Sequence, residues 1–325
     1  VFVRRFTSVV ATAGLLLSLA ACSGSASSGA CTPTFPSGGN AALVTAIGVL
    51  GKDPAAKFPT PLVAAKPEAS ATVIGTGSLV RPGQTAAVHI TLYDASTGKS
   101  LISTDYSGTG VLFGVIAGLP AFGSIVQCAK VGSRVAAVGS ALDLLGENAV
   151  QQNGLTLKPQ DTVVVIADIM ATYLGRANGV DQPSPAGLPA IVLAPNGQPG
   201  FSFPSAVIPT ELKIATLKQG QGEVVQPKDA VVLHYTGLLW DTKAVFDSTW
   251  DANTPAVLTA VSLKDEPAGG LVPGFAKALI GARVGSQILV VIPAGADGYP
   301  AGSAPATIPD GSTMVFVIDV LGIQK

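Results

Sequence analysis

The sequence predicts an α+β protein made of two tandem copies of one unit, each an antiparallel β-sheet packed on one short α-helix. Three observations carry this. The chain repeats itself: Phe58-Pro59 answers Phe203-Pro204, Gly75-Thr76-Gly77 answers Gly220-Gln221-Gly222, and Pro82 answers Pro227. His89 answers His234 at the same offset (234 − 89 = 145). A period this long means paired domains, because solenoid repeats run at about 20–50 residues. Each copy also carries runs rich in β-branched and aromatic residues: 86–91 and 163–166 in the first, 231–236 and 314–318 in the second. One helix lies between those runs. In the second copy it starts near Pro273 and stops by Gly281, the usual places for Pro at a first turn and Gly past the last. Aligning 129–133 with 282–286 sets Pro120 opposite Pro273 and Phe122 opposite Phe275, so the first copy has the same helix. The offset there is 153 (275 − 122), so the intervening loops differ by eight residues (153 − 145).

The ends and joints follow from composition. The 325 residues suffice for two or three domains, and 48% of them are hydrophobic, 12% charged, with a net charge of −1. No basic field exists to hold a nucleic-acid backbone, which excludes that partner class. Gly 38 and Pro 24 favour turn-rich β structure, and each copy opens on a Pro-punctuated extended lead. Arg4 and Arg5 precede an apolar run, Val9 to Ala21, that is too short to span a membrane. Residues 1–21 therefore read as a secretory signal. Its end, Leu19-Ala20-Ala21-Cys22, resembles a bacterial lipobox. That resemblance implies an acylated Cys22 and a membrane attachment through lipid alone, on the extracytoplasmic face. An ordinary signal with an incidental cysteine is the alternative. Residues 22–40 read as a flexible tether, 41–175 as the first copy, 176–200 as a linker rich in Asn, Gly, Pro and Ser, and 201–325 as the second copy. With Cys22 lipidated, Cys31 and Cys128 remain, either as a disulfide closing 97 residues (128 − 31) or as two buried thiols. No CxxC or Cys/His grouping points to a metal, and no cofactor motif is present.

The chemistry narrows by elimination. The two histidines, His89 and His234, hold equivalent strand positions in both copies, which assigns them to structure. The chain has no G-x-S-x-G elbow, no phosphate-binding glycine loop and no H-E-x-x-H, so hydrolase and nucleotide-dependent classes have little support. What the second copy does carry is an apolar, aromatic set with one acid: His234-Tyr235-Thr236-Gly237, Phe246-Asp247-Ser248, Leu271-Val272-Pro273-Gly274-Phe275, Gly298-Tyr299-Pro300, Ile308-Pro309 and Phe316. In order and spacing this set resembles the FKBP-type peptidyl-prolyl cis-trans isomerases, over about Glu211 to Gln324. The resemblance implies two tandem FKBP-like domains, each a sheet curved around one short helix, the first matching the family only in its framework.

The resemblance also implies roles. Phe275 is the floor under the proline ring, with Tyr235, Phe246 and Phe316 as walls. Leu271 and Val272 line the rim, the Val272 amide donating to substrate. The Tyr299 hydroxyl bonds a substrate carbonyl, Ile308 caps the pocket, and Asp247 polarises it beside Tyr235. Such a pocket suits the reaction. Rotation about an X-Pro bond breaks amide resonance, a barrier of roughly 18–20 kcal/mol. The twisted amide is less polar than the planar one, so a dry apolar pocket favours it without nucleophile, metal or cofactor. The stretch 250–256 departs from the family, leaving Asp247 without its usual Arg; Trp250 there reads either as a substitute wall or as an exposed loop aromatic. In the first copy Tyr235 becomes Ile90, Phe316 becomes Val165, Tyr299 falls near Gly146, and Asp247 falls at Ser103 or nearby. The expected function is isomerisation of X-Pro bonds in proline-containing exported polypeptides by the second copy, with a macrolide of the FKBP class as a possible ligand. A non-catalytic proline-segment binder or holdase is the alternative, and a purely structural envelope protein a third reading.

Overall fold

The computed structural model describes residues 31–115, 122–147, 157–252, 254–300 and 302–325. Cys22, the signal segment and Pro120 lie outside the described residues. The chain begins its fold with a short helix α1 (Gly39–Ala42), whose first amides, Asn40 and Ala41, donate to the Glu68 carboxylate at 2.8 and 3.1 Å. A small hairpin of β1 (Thr45–Ile47) and β2 (Ala55–Lys57) follows. Then come β3 (Glu68–Val73), β4 (Thr85–Asp94), β5 (Ser100–Ser103) and β6 (Val111–Gly114). Next are the single-turn helix α2 (Phe122–Ile125), β7 (Arg134–Ser140), the short helix α3 (Ala141–Leu145) and β8 (Thr162–Tyr173). These strands form one antiparallel sheet in the order β3-β7-β8-β4-β5, with β6 also paired to β4.

The second half repeats that order. After β9 (Val180–Asp181) and the hairpin of β10 (Ala190–Leu193) and β11 (Pro199–Ser202) come β12 (Lys213–Gln219), β13 (Ala230–Leu239), β14 (Val245–Ser248) and β15 (Ala256–Thr259). Helix α4 (Pro273–Leu279), β16 (Gln287–Ile292) and β17 (Met314–Gln324) complete it. The sheet runs β14-β13-β17-β16-β12-β9, with β15 paired to β13. Helix α4 begins on Pro273 and is followed by Gly281 at φ +87°, a conformation that a side chain would strain.

Both sheets are covered on both faces, which is why their central strands are buried almost residue by residue. Alternation still sorts the side chains. Val88, Ile90 and Leu92 face one core with Val163, Val165 and Ile169, while Tyr93, Val164 and Ile166 face another closed by Val44 and Leu62 of the N-terminal segment. In the second sheet Val231, Leu233, Val290, Phe316 and Ile318 face α4, while Leu238, Leu289, Val315 and Val317 face Ile191, Phe201 and Phe203.

Two sequence expectations need correction here. The tether does not extend to residue 40: Cys31 is disulfide-bonded to Cys128, with Cα atoms 5.5 Å apart, and Phe35 is buried in the first core. Nor is 176–200 a plain linker. Its β9 joins the second sheet, the Ala177 amide donates to Asp319 Oδ2 at 2.8 Å, and its hairpin covers the outer face. The clustered Asn, Gly and Pro mark turns of an ordered element. From Cys31 to Lys325 the chain forms one compact unit. The two sheets meet where Ala87 and Tyr173 pack on Val232 and Leu321.

One polar row distinguishes the sheets. In the first, His89, Asp168 and Arg134 lie side by side on β4, β8 and β7. The fully buried Arg134 pairs with Asp168 at 2.5 Å and donates to carbonyls of Gly48, Val49 and Lys52. In the second the same row reads His234, Asp319 and Gln287, so the buried carboxylate has an amide where the first copy has a guanidinium.

Candidate functional site

The site grows from the helix-facing side of β13. Leu233, Tyr235 and Gly237 alternate onto that face, and Gly237 lies opposite both Phe316 on β17 and Asp247 on β14. A Cβ on Gly237 would sit 2.6 Å from Phe316 Cε1 and 2.7 Å from Phe246 Cζ. Glycine is therefore what lets two rings lie over the strand. In the sequence the one signal for this glycine is its counterpart in the repeat, Leu92 (237 − 145 = 92).

Four rings interlock around that space. Phe275, on the first turn of α4, meets Phe316 edge-on at 5.1 Å between centroids and Tyr235 edge-on at 6.0 Å. Phe246 meets Phe316 edge-on at 5.5 Å, and Tyr235 lies 6.3 Å from Phe316. Edge-to-face pairs of this kind set the positive ring edge against a negative face. Val272, just before α4, and Ile308 are buried in the same cluster, with Leu271 and Tyr299 half-buried against it. Tyr235, Phe246, Phe275, Phe316, Leu271, Val272, Tyr299 and Ile308 thus converge.

One acid stands at the edge of the cluster. The Tyr235 hydroxyl donates to Asp247 Oδ2. Burial, and then that hydrogen bond, push the Tyr235 hydroxyl well above its ordinary range. Burial also raises Tyr299, with the Asp247 charge adding to it. Both hydroxyls stay protonated at neutral pH and remain hydrogen-bond donors. The loop carrying Tyr299 is fastened to α4: the Gly274 amide donates to the Asp297 carbonyl at 2.9 Å and Lys277 Nζ pairs with Asp297 at 2.7 Å.

Trp250 does neither of the things the sequence suggested. It is buried, 4% exposed, and stacks on His234 at 4.1 Å and 21°, on the sheet face opposite Phe275. The first copy does the same with Tyr106 on His89 at 4.8 Å and 21°. Each histidine also shares a strand-end threonine: His234 Nδ1 lies 2.8 Å from Thr249 Oγ1, and His89 Nδ1 lies 3.3 Å from Thr104 Oγ1. Burial lowers His234 to about 4, so its imidazole is neutral and its work is packing. The position equivalent to Asp247, expected at Ser103 or nearby, is Ile102: Leu92 pairs with Ile102 as Gly237 pairs with Asp247. Among the described residues no group of three or more His, Cys, Asp or Glu is placed to hold a metal ion.

The comparisons with known proteins bear on this half. Residues 221–321 match the family model of the FKBP-type peptidyl-prolyl cis-trans isomerase. A probable FK506-binding protein of Corynebacterium glutamicum is 30% identical over 124 residues, 38% of this chain and 97% of that protein. The chain belongs to the FKBP-type peptidyl-prolyl cis-trans isomerase family. An FK506-binding protein of Streptomyces anulatus is 29% identical over 126 residues, 39% of this chain and 97% of that protein. The crystal structure of three FKBP domains of a wheat protein aligns with 79% of this chain and 94% of its own, at 18% identity and a TM-score of 0.33. Every ring of the cluster lies within the matched FKBP segment, while β9 and the hairpin β10–β11 lie outside it.

Proposed function

We propose that the second half isomerises X-Pro bonds of exported, proline-containing polypeptides at the aromatic cluster beside Gly237, and that the first half is a degenerate FKBP-like domain without that activity. The observation that carries this is the exchange of one set of side chains on a common frame. Gly237, Phe246, Phe316, Tyr235 and Asp247 stand where the first half has Leu92, Leu101, Val165, Ile90 and Ile102. In the first half the Leu92 side chain is buried in the core, where the second half sets the Phe246 and Phe316 rings over Gly237. The proline ring would rest on Phe275 between Phe246 and Phe316, with Ile308 above it. The Val272 amide and the Tyr299 hydroxyl would hold the flanking carbonyls. Removing water around the amide disfavours its planar, polar form, while the Asp247 charge beside Tyr235 acts on the rotating carbonyl. A macrolide of the FKBP class would fill the same space. Lipid attachment at Cys22 would keep the enzyme at the extracytoplasmic face of a membrane, where no energy source is needed because isomerisation shifts no equilibrium.

A non-catalytic proline-segment binder or holdase is the second reading. It is favoured by Asp247 having Tyr235 alone as a side-chain partner among the described residues, with Trp250 turned to the other face. Exchange NMR on a short X-Pro peptide separates the two. We expect the wild-type chain to accelerate cis–trans exchange, and Asp247→Ala and Tyr299→Phe to lose about tenfold or more. The triple variant Gly237→Leu, Phe246→Leu, Phe316→Val, which copies the packing of the first half, should fold and be inactive. Peptide binding by the wild type without acceleration would establish the second reading.

A further inference from the structure

The strand that carries Asp247 is weakly held. β14 is an edge strand with three paired positions, and its register shifts between Gly237 and Leu238. Ladder hydrogen bonds secure it from one side only, so what anchors its outgoing end decides where the carboxylate sits. That anchor comes from outside the family segment. Gly197, at the turn of the β10–β11 hairpin with φ +105°, lies so close to Trp250 that a Cβ there would be 2.9 Å from Trp250 Cη2. Gln198 Nε2 donates to Asp251 Oδ1 at 3.2 Å. Arg176 Nη1 closes the turn by donating to the Pro195 carbonyl at 2.9 Å. The hairpin turn therefore covers Trp250 and bonds the exposed Asp251, shortly after β14 ends at Ser248.

Beneath the turn, Trp250 stacks on His234, and Thr249 Oγ1 accepts the Tyr235 amide at 3.0 Å. The Thr249 amide in turn donates to the Tyr235 carbonyl at 3.1 Å. The anchor thus adjoins Thr249, two residues past Asp247 (249 − 247), which is bonded to the backbone of the Asp247 hydroxyl partner, Tyr235. We propose that the β10–β11 hairpin is a positioning element of the isomerase: Gly197 and Gln198 hold Trp250 and Asp251 in place and so set the Asp247 carboxylate against Tyr235. A chain cut to the family segment would keep every ring of the pocket and lose this control. The inference rests on the site assigned above.

The test uses full-length Gly197→Val, Trp250→Ala and Trp250→Phe, each in wild-type and Asp247→Asn backgrounds, with peptide isomerisation read as kcat and KM. Misplacing a catalytic group by an ångström can cost about a hundredfold. We expect Gly197→Val and Trp250→Ala to lower kcat about tenfold to a hundredfold with little change in KM, since the rings that bind proline are untouched. Trp250→Phe, which keeps a ring on His234, should recover most of the loss. In the Asp247→Asn background the hairpin substitutions should have no further effect, a non-additivity that general loosening would not produce. Equal activity of all variants in the wild-type background overturns the proposal, and so does an equal fold-loss in both backgrounds. Absence of activity in the wild-type chain overturns the site assignment instead, a distinguishable result.

Discussion

His234 and Asp319 sit opposite each other on neighbouring strands, and burial pushes them in opposite senses. The imidazole is lowered to about 4 by loss of solvent. The carboxyl is raised to about 6 by burial, which outweighs the hydrogen bonds from the Ala177 amide and Gln287 and the charges of Lys218 and Arg176. Because the folded His234 resists protonation, acidification from pH 6.5 towards 4 costs stability through that group. Because the folded Asp319 holds its proton more tightly than the unfolded chain does, the same acidification adds stability through it. The two slopes offset each other in the wild type. Asp319→Asn should leave a protein whose urea stability falls on going from pH 6.5 to 4.5, and His234→Gln one whose stability rises, each by on the order of 2 kcal/mol. Parallel profiles in the two variants would refute the assignment. None of this was readable from composition, since the shift of Asp319 comes from its burial in the folded sheet.

At the scale of elements, the strands and the helix were legible because their signals are local. Alternation survives in β4, β8, β13 and β17 even where both faces are buried, and Pro273 with Gly281 brackets α4. The order of the rings that cluster around Phe316 was legible because short motifs carry them. The segments preceding each sheet were not, because their order comes from tertiary contacts: Arg134 gathers the carbonyls of 48–52, and Asp319 gathers the Ala177 amide. Trp250 was misread for the same reason, as a loop position in sequence that its stack on His234 turns into core. The strap at the front of the first sheet depends on Cys31–Cys128, which closes 97 residues, and on Phe35 beneath it. Replacing both cysteines by Ser should lower the stability of the first half by about 2–4 kcal/mol in urea while leaving peptide isomerisation unchanged. Lost activity in a folded double variant would show that the first half matters to the site.

For the whole molecule, the question is where the half that carries the family match begins. A boundary drawn from the second repeat would cut at residue 201 and one drawn from the matched family segment at residue 221, but the sheet recruits the chain from residue 177 onward. The Ala177 amide satisfies Asp319, the Gly179 amide donates to the Gly285 carbonyl at 2.9 Å, and Asp181 pairs with Lys218 at the sheet edge. Leu188 and Ile191 cover the outer face. Two fragments test this boundary against each other. Residues 176–325 keep all these contacts, whereas 201–325 lose them and leave a buried carboxylate one donor short. Losing a partner to a buried charged group and uncovering two aliphatic side chains should make the shorter fragment less stable by on the order of 3 kcal/mol in urea. Both fragments lose the joint with Tyr173, so its cost cancels in the comparison. Isomerase activity per folded molecule should also be lower in the shorter fragment, because β10 and the turn against Trp250 are gone. If the two fragments unfold at the same urea concentration, the connector is only a spacer, and the first half is joined to an enzyme that is complete without it.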